Sequence, residues 1–235
     1  MAELLPRLIP LKGDFDLQRS LVDCSYIRDD LAVGGPTIRF SLGIGNVGTG
    51  PLHLILFNIR EEAGKKIASA KQRVYSNDGK FREINVDDVE RTRHDVHDAW
   101  HYPNLASFGL YDKEGKLAAP GKKTQYCMVD VFKLTDAVLN KFAVTNSPET
   151  GRFSAVSGCL PDIGTPEIGI SVGWADNYQQ NVADQYIDIS DIKTGVYTLQ
   201  LQVNKTKLVT ADGDNTPREQ HRIRIDKEQQ KVEAL

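Results

Sequence analysis

The chain has 235 residues, 40% of them hydrophobic, and a formal net charge of −3 at pH 7. That is enough to bury one large all-β domain or two small ones. It excludes a nucleic-acid partner recognised through clustered Lys and Arg, because 32 acidic residues outnumber 29 basic ones, and no apolar run approaches the roughly 18 residues that a membrane helix needs.

The first residues, MAELLPRLIPLKGD, place Glu3 early and Pro6 and Pro10 inside the apolar part. This is a poor signal peptide, so the chain reads as cytoplasmic unless a leader has been removed. Period-2 alternation follows. Ile38, Phe40, Leu42 and Ile44 alternate with Arg39, Ser41 and Gly43, and predict one strand with one wet face. Further strands are predicted over 52–59, 70–75, 107–111, 125–132, 186–189, 196–203 and 220–225. In the 196–203 run Tyr197, Leu199, Leu201 and Val203 form a continuous apolar face. GNVGTGP at 45–51, SNDGK at 76–80, DKEG at 112–115 and ADGDNTP at 211–217 separate these runs as turns.

Thr135 and Asp136, followed by Ala137, Val138, Leu139 and Phe142, predict one short capped helix. The stretch 143–184, rich in Gly, Pro, Ser and Asn, reads as one long functional loop. The expected fold is an all-β, antiparallel β-sandwich of about nine to eleven strands with at most one or two short helices. One domain is expected over 1–228, with 229–235 as a solvated tail. The three cysteines, Cys24, Cys127 and Cys159, leave two readings open: a Cys127–Cys159 bridge, or three buried thiols. GNVGTG is not a phosphate loop, since no helix pattern follows it. Asn204-Lys205-Thr206 is a sequon that matters only in a glycosylating compartment.

Three of the five histidines, His94, His97 and His101, fall within HDVHDAWHYPN. Imidazole is the commonest protein metal ligand. On one extended strand His97 and His101 share a face with Asp95, His94 takes the other face, and the slot between the two histidines holds Ala99, which has no donor atom. A carboxylate from Asp95 gives a two-His-one-carboxylate set of the kind that favours iron. A bulge that re-aims His94, or water in the gap, are the other ways to complete the set.

Several segments together resemble the lysyl oxidase family, its bacterial lysyl-oxidase-like members in particular. They are LLPRLIP at the start, TIRFSLGIGNVGTGPLHL, the histidine stretch, SFGLYDKEGK, GISVGWADNY at 169–178 and QYIDISDIKTGVYTLQLQVN at 185–204. The resemblance implies a copper amine oxidase on a β-sandwich. It implies copper ligands at His97 and His101, with Ala99 where the family has a third histidine. It also implies a lysine tyrosylquinone made from the chain itself. Lys123, four residues before Cys127 in GKKTQYC, matches the lysine, and Tyr178, closing Trp-Ala-Asp-Asn-Tyr, matches the tyrosine. Asp176, two residues from Tyr178, is the candidate base. The expected substrate is a primary amine, small or peptidyl, and the family implies secretion. The alternative, prompted by Ala99, is a non-catalytic sandwich binding module.

Overall fold

The computed structural model describes residues 2–12, 24–94, 97–153, 166–182, 184–204, 209–212 and 218–235, with Lys12, Arg93, His94 and His97 described in backbone only. Nineteen strands and one helix are present among them. In chain order they are β1 (Glu3–Leu4), β2 (Leu8–Lys12), β3 (Ser25–Asp30), β4 (Gly35–Arg39), β5 (Leu42–Asn46), β6 (Leu52–Glu62), β7 (Lys65–Ser76), β8 (Phe81–His94), β9 (His97–Pro103) and β10 (Ala106–Tyr111). After these come β11 (Leu117–Pro120), β12 (Gln125–Tyr126), β13 (Phe132–Lys133), α1 (Asp136–Lys141), β14 (Glu167–Ile170), β15 (Trp174–Tyr178), β16 (Tyr186–Asp188), β17 (Gly195–Val203), β18 (Arg218–Asp226) and β19 (Lys231–Ala234). All pairings are antiparallel. They build sheets ordered β12-β9-β8-β7-β6-β14, β11-β10-β17-β18-β19, β13-β15-β5-β2 and β16-β4-β3, with β1 added to β7. The all-β sandwich expectation holds, though nineteen mostly short strands stand among the described residues where about nine to eleven were expected, and α1 lies where the Thr135-Asp136 signal put it.

The alternating runs are strands because one face can be buried. Leu199, Leu201 and Val203 of β17 and His221, Ile223 and Ile225 of β18 point inward while their neighbours are more exposed. The apolar ones among them join Ile38, Phe40, Leu42, Leu52, Leu54 and Ile168 in one core. Phe40 meets Phe108 edge-on at 4.9 Å, and each such buried side chain contributes about 1.5–3 kcal/mol.

Four expectations are corrected. The 38–44 run is two strands in two different sheets, β4 and β5, and β5 is buried on both faces; a strand that changes sheet at a corner has no continuous wet face. The 125–132 run is strand only at its ends. The supposed long loop at 143–184 carries β14 and β15. The last residues, expected as a tail, pair with β18 as β19, though their side chains stay largely exposed.

His53 of β6 is fully buried. Its Nδ1 accepts from the Tyr75 hydroxyl at 2.8 Å, and Arg152 donates to the same phenol oxygen at 3.0 Å. Its Nε2 lies 3.1 Å from Glu167. Burial, with the Arg152 and Arg73 guanidinia, holds its pKa down at about 4 against the opposing pull of Glu167. The neutral ring is therefore the folded form. Its contribution, up to about 3 kcal/mol, is fully present above the unfolded pKa of about 6.5 and is lost as pH falls towards 4. Melting temperature is expected to fall over that window, and a His53→Gln protein to fall less. Equal pH slopes in the two proteins would count against this account.

Candidate active site

The segment between β11 and β12 turns Lys123 inward. The Gly121 N–H donates to the Phe108 carbonyl at 2.7 Å, and the Lys122 N–H donates to the Tyr186 carbonyl at 3.0 Å. A Cβ at position 121 would stand 2.1 Å from the Phe108 ring, so only glycine lets the backbone lie this close. Lys122 remains exposed, while Lys123 is 4% exposed. A lysine that reads as part of a basic surface turn is thus an interior amine.

Its ammonium nitrogen lies 5.4 Å from the centre of the Tyr178 ring and 5.5 Å from the centre of the Tyr126 ring. The two rings meet edge-to-face, with centroids 4.8 Å apart and planes at 87°. Lys123 therefore sits in the corner between two perpendicular aromatic faces. Burial lowers its pKa, and the carboxylates of Asp184 and Asp176 pull it back up. A buried lysine with a lowered pKa releases its proton more readily and is a better nucleophile.

Asp176 and Tyr178 alternate along β15 and share a face, as their spacing requires on a strand. The Tyr178 hydroxyl lies 2.7 Å from Asp176 Oδ2 and 2.6 Å from the Cys127 carbonyl oxygen. A phenol has one proton, and here it faces two acceptors. The acid form of Asp176 satisfies both contacts: the carboxyl donates to the phenol oxygen, and the phenol donates to Cys127. The carboxyl is also held by the N–H groups of Asn177 at 2.7 Å and Val129 at 3.3 Å. Burial raises the Asp176 pKa to about 7 in spite of these donors and of Lys123. Burial and the neighbouring Asp176 push the Tyr178 phenol well above its ordinary range. The site joins an amine, a phenol ring and a carboxyl that changes charge near neutrality. That set is suited to linking the amine to an oxidised ring and to moving a proton at the phenol oxygen.

The histidines are arranged otherwise than on one strand. The chain reverses between β8 and β9, and the register pairs His94 with His97, Thr92 with Ala99 and Glu90 with His101. Directly opposed positions of an antiparallel pair belong to one face, so position 94 belongs to the face of positions 97, 99 and 101. The expectation for His94 assumed an uninterrupted strand, whereas the backbone pairs β8 with β9 as a hairpin. Asp95 and the side chains of His94 and His97 lie outside the described residues.

His101 is buried, and its Nδ1 is 2.9 Å from the Ala99 carbonyl. A carbonyl only accepts, so Nδ1 carries a proton. Metal-ligating histidines are commonly oriented this way. Ala99 is buried and supplies no donor. Across from it, Thr92 donates to Gln125 at 2.9 Å. Among the described residues no group of three His, Cys, Asp or Glu is placed to hold a metal. Ala99 has no donor atom, so the three-histidine copper set implied by the resemblance does not fit this chain at position 99, whereas Lys123 and Tyr178, which match the lysine and the tyrosine, lie side by side. His101 and its neighbour Tyr102 occupy opposite faces of β9, and Tyr102 is the partner of Tyr126.

Cys127, beside this corner, is disulfide-bonded, which removes the reading of three thiols. Cys159 and the rest of the sequon after Asn204 lie outside the described residues. Sequence reasoning missed Tyr126 and Asp184. The only available signal was their nearness to Lys123 and to the QYIDIS segment, and a tyrosine in an apolar run reads first as core.

The sequence model of the lysyl oxidase family matches residues 71–233, more than half of the chain. Lysyl oxidase homolog 3B of Danio rerio is 25% identical over 199 residues, covering 78% of this chain and 22% of the relative. Lysyl oxidase homolog 3A of Danio rerio is 27% identical over 197 residues, covering 78% and 24%. Human lysyl oxidase homolog 3 is 31% identical over 107 residues, covering 44% and 12%. The chain thus spans less than a quarter of the length of these relatives. No helix among the described residues is long and apolar enough to cross a membrane. The match across 71–233 includes the histidine strand, Lys123, Tyr178 and the 185–204 segment, and on it the chain belongs to the lysyl oxidase family.

Proposed function

We propose that this protein oxidises a primary amine, small or peptidyl, to an aldehyde, with a quinone built from Lys123 and Tyr178. The observation that carries the reading is the buried corner in which the Lys123 nitrogen lies 5.4 Å from the Tyr178 ring centre. Making the quinone consumes the phenol, the amine and two molecules of dioxygen, and yields the linked quinone, one water and one hydrogen peroxide. When formed, the quinone would supply two-electron oxidation of the amine, with dioxygen as the final electron acceptor. The net reaction converts amine, dioxygen and water into aldehyde, ammonia and hydrogen peroxide.

The chain's own residues do the rest. Tyr178 is anchored at its oxygen by Asp176 and Cys127, which fixes the ring. Asp176, with its pKa at about 7, is placed to take and return protons beside that ring. The burial of Lys123, Tyr126 and Tyr178 keeps bulk water from the corner. Of the metal, His97 and His101 are the residues that would hold copper, with His94 and Asp95 as the nearest further donors in sequence.

The test is to load the purified protein with copper in air, stain for a redox-cycling quinone and measure peroxide release from a simple alkylamine. Staining and peroxide are expected together. A colourless protein with no peroxide output would end the reading. An Ala99→His protein carried through the same loading is expected to bind copper at least ~10-fold more tightly, since a direct ligand should matter more than the ~10–100-fold typical of an outer-shell partner. Equal affinity would mean that position 99 is not part of the metal site. The absence of a donor at Ala99 favours a second reading, a binding module without oxidase activity. It predicts neither quinone nor tightly held copper in the same experiment.

A further inference from the structure

We propose that Tyr126 is the positioning residue that holds Lys123 against Tyr178 for their cross-link. The inference rests on the quinone reading above and names what makes the two precursors meet. β12 is only two residues long, yet Tyr126 within it is fully buried and is paired with Tyr102 of β9, one residue from His101. Its ring meets Tyr178 edge-on at 4.8 Å and forms the second wall of the Lys123 corner at 5.5 Å. Its hydroxyl donates to the carbonyl of Lys123 itself at 3.3 Å. One side chain thus touches both precursors and is tied through its backbone to the histidine strand.

A lysine has many rotamers, and ordering it has an entropic cost. Burying its ammonium is costly as well, and two aromatic faces offset part of that cost. With Tyr126 in place, the region where the nitrogen meets two rings is also the region beside Tyr178. Without the ring, one wall is gone and the ammonium follows the carboxylates that act on it, Asp184 first. A displacement of about 1 Å at a reacting pair costs up to about 100-fold in rate.

The test uses the full chain, loaded with copper in air. Two quantities are read: the linked Lys123–Tyr178 peptide by mass spectrometry after proteolysis, and the quinone absorbance. Tyr126→Phe keeps the ring and is expected to retain the link within about twofold. Tyr126→Met keeps an apolar side chain without the ring and is expected to lower the linked fraction at least tenfold in protein that still melts cooperatively. A folded Tyr126→Met protein linked to the parental level would overturn the proposal, as would loss of the link in Tyr126→Phe. Should Tyr126→Met not fold, nuclear Overhauser contacts are read in the copper-free parent protein with labelled lysine. Contacts from the Lys123 ε-protons to both rings are expected, and their absence at Tyr126 overturns the proposal. A parent protein that never forms the linked peptide sinks the quinone reading instead, an outcome distinct from a Tyr126→Met protein that links normally.

Discussion

A Lys123→Met protein is expected to carry no quinone and no amine-oxidising activity, and yet to melt close to or above the parent. The two halves of this expectation have different causes. Activity is lost completely because the amine nitrogen becomes part of the proposed cofactor, and no other amine reaches the Tyr178 ring among the described contacts. Stability is kept because Lys123 is 4% exposed and its burial disfavours its charge. Replacing a buried charge with an apolar chain of similar volume removes the cost of keeping that charge out of water. The neighbouring Asp176 has a pKa of about 7, which the Lys123 ammonium pulls down, so loss of that ammonium favours the neutral acid and limits the uncompensated charge left behind. Quinone staining and a thermal melt on the same sample check both halves. A Lys123→Met protein that still stains would remove Lys123 from the cofactor. One that fails to fold would mean that the lysine is a structural post.

Asp176→Asn is expected to leave the quinone in place and to lower amine turnover by about 10²–10⁴-fold, the usual worth of a general base. Asparagine copies the acid form of the carboxyl. Its amide donates to the Tyr178 oxygen as the protonated Asp176 does, so the phenol keeps its contact with Cys127 and the ring keeps its place. What disappears is the group that takes up a proton. The pH dependence has a definite sign. The base is active when ionised, and burial sets its pKa at about 7. The rate in the parent protein is expected to rise as pH increases through about 7, and the asparagine protein to lack that limb. Steady-state rates from pH 5.5 to 8.5 test this. A shared pH limb in the two proteins would assign it to another group.

Much of this was legible in the residues. Leu199, Leu201 and Val203 alternate because a strand repeats every two residues, and that rule found β17 and β18 without coordinates. The spacing of two between Asp176 and Tyr178 determined that they share a face once they lie on a strand, which β15 provides. The resemblance to the lysyl oxidase family, with its lysine four residues before a cysteine, marked Lys123. By contrast, β8 was not read, because a bulge near Val86 and Val89 breaks its alternation and its outer face is charged. The reversal between His94 and His97 was not read either, since two residues suffice to turn a hairpin and the local pattern stays extended on both sides.

The sequence by itself determined the all-β character, the residue types of the site and the absence of a donor at Ala99, because these depend on local periodicity and on atom types. Only the tertiary structure decided that Lys123 is interior, that Tyr126 and Tyr178 form its corner, and that Asp176 faces a phenol already engaged with Cys127. Those properties come from burial and from contacts between β12, β15 and the segment that leads into β12. Desolvation and the meeting of distant strands are set by the packed molecule as a whole, and no stretch of residues encodes them alone.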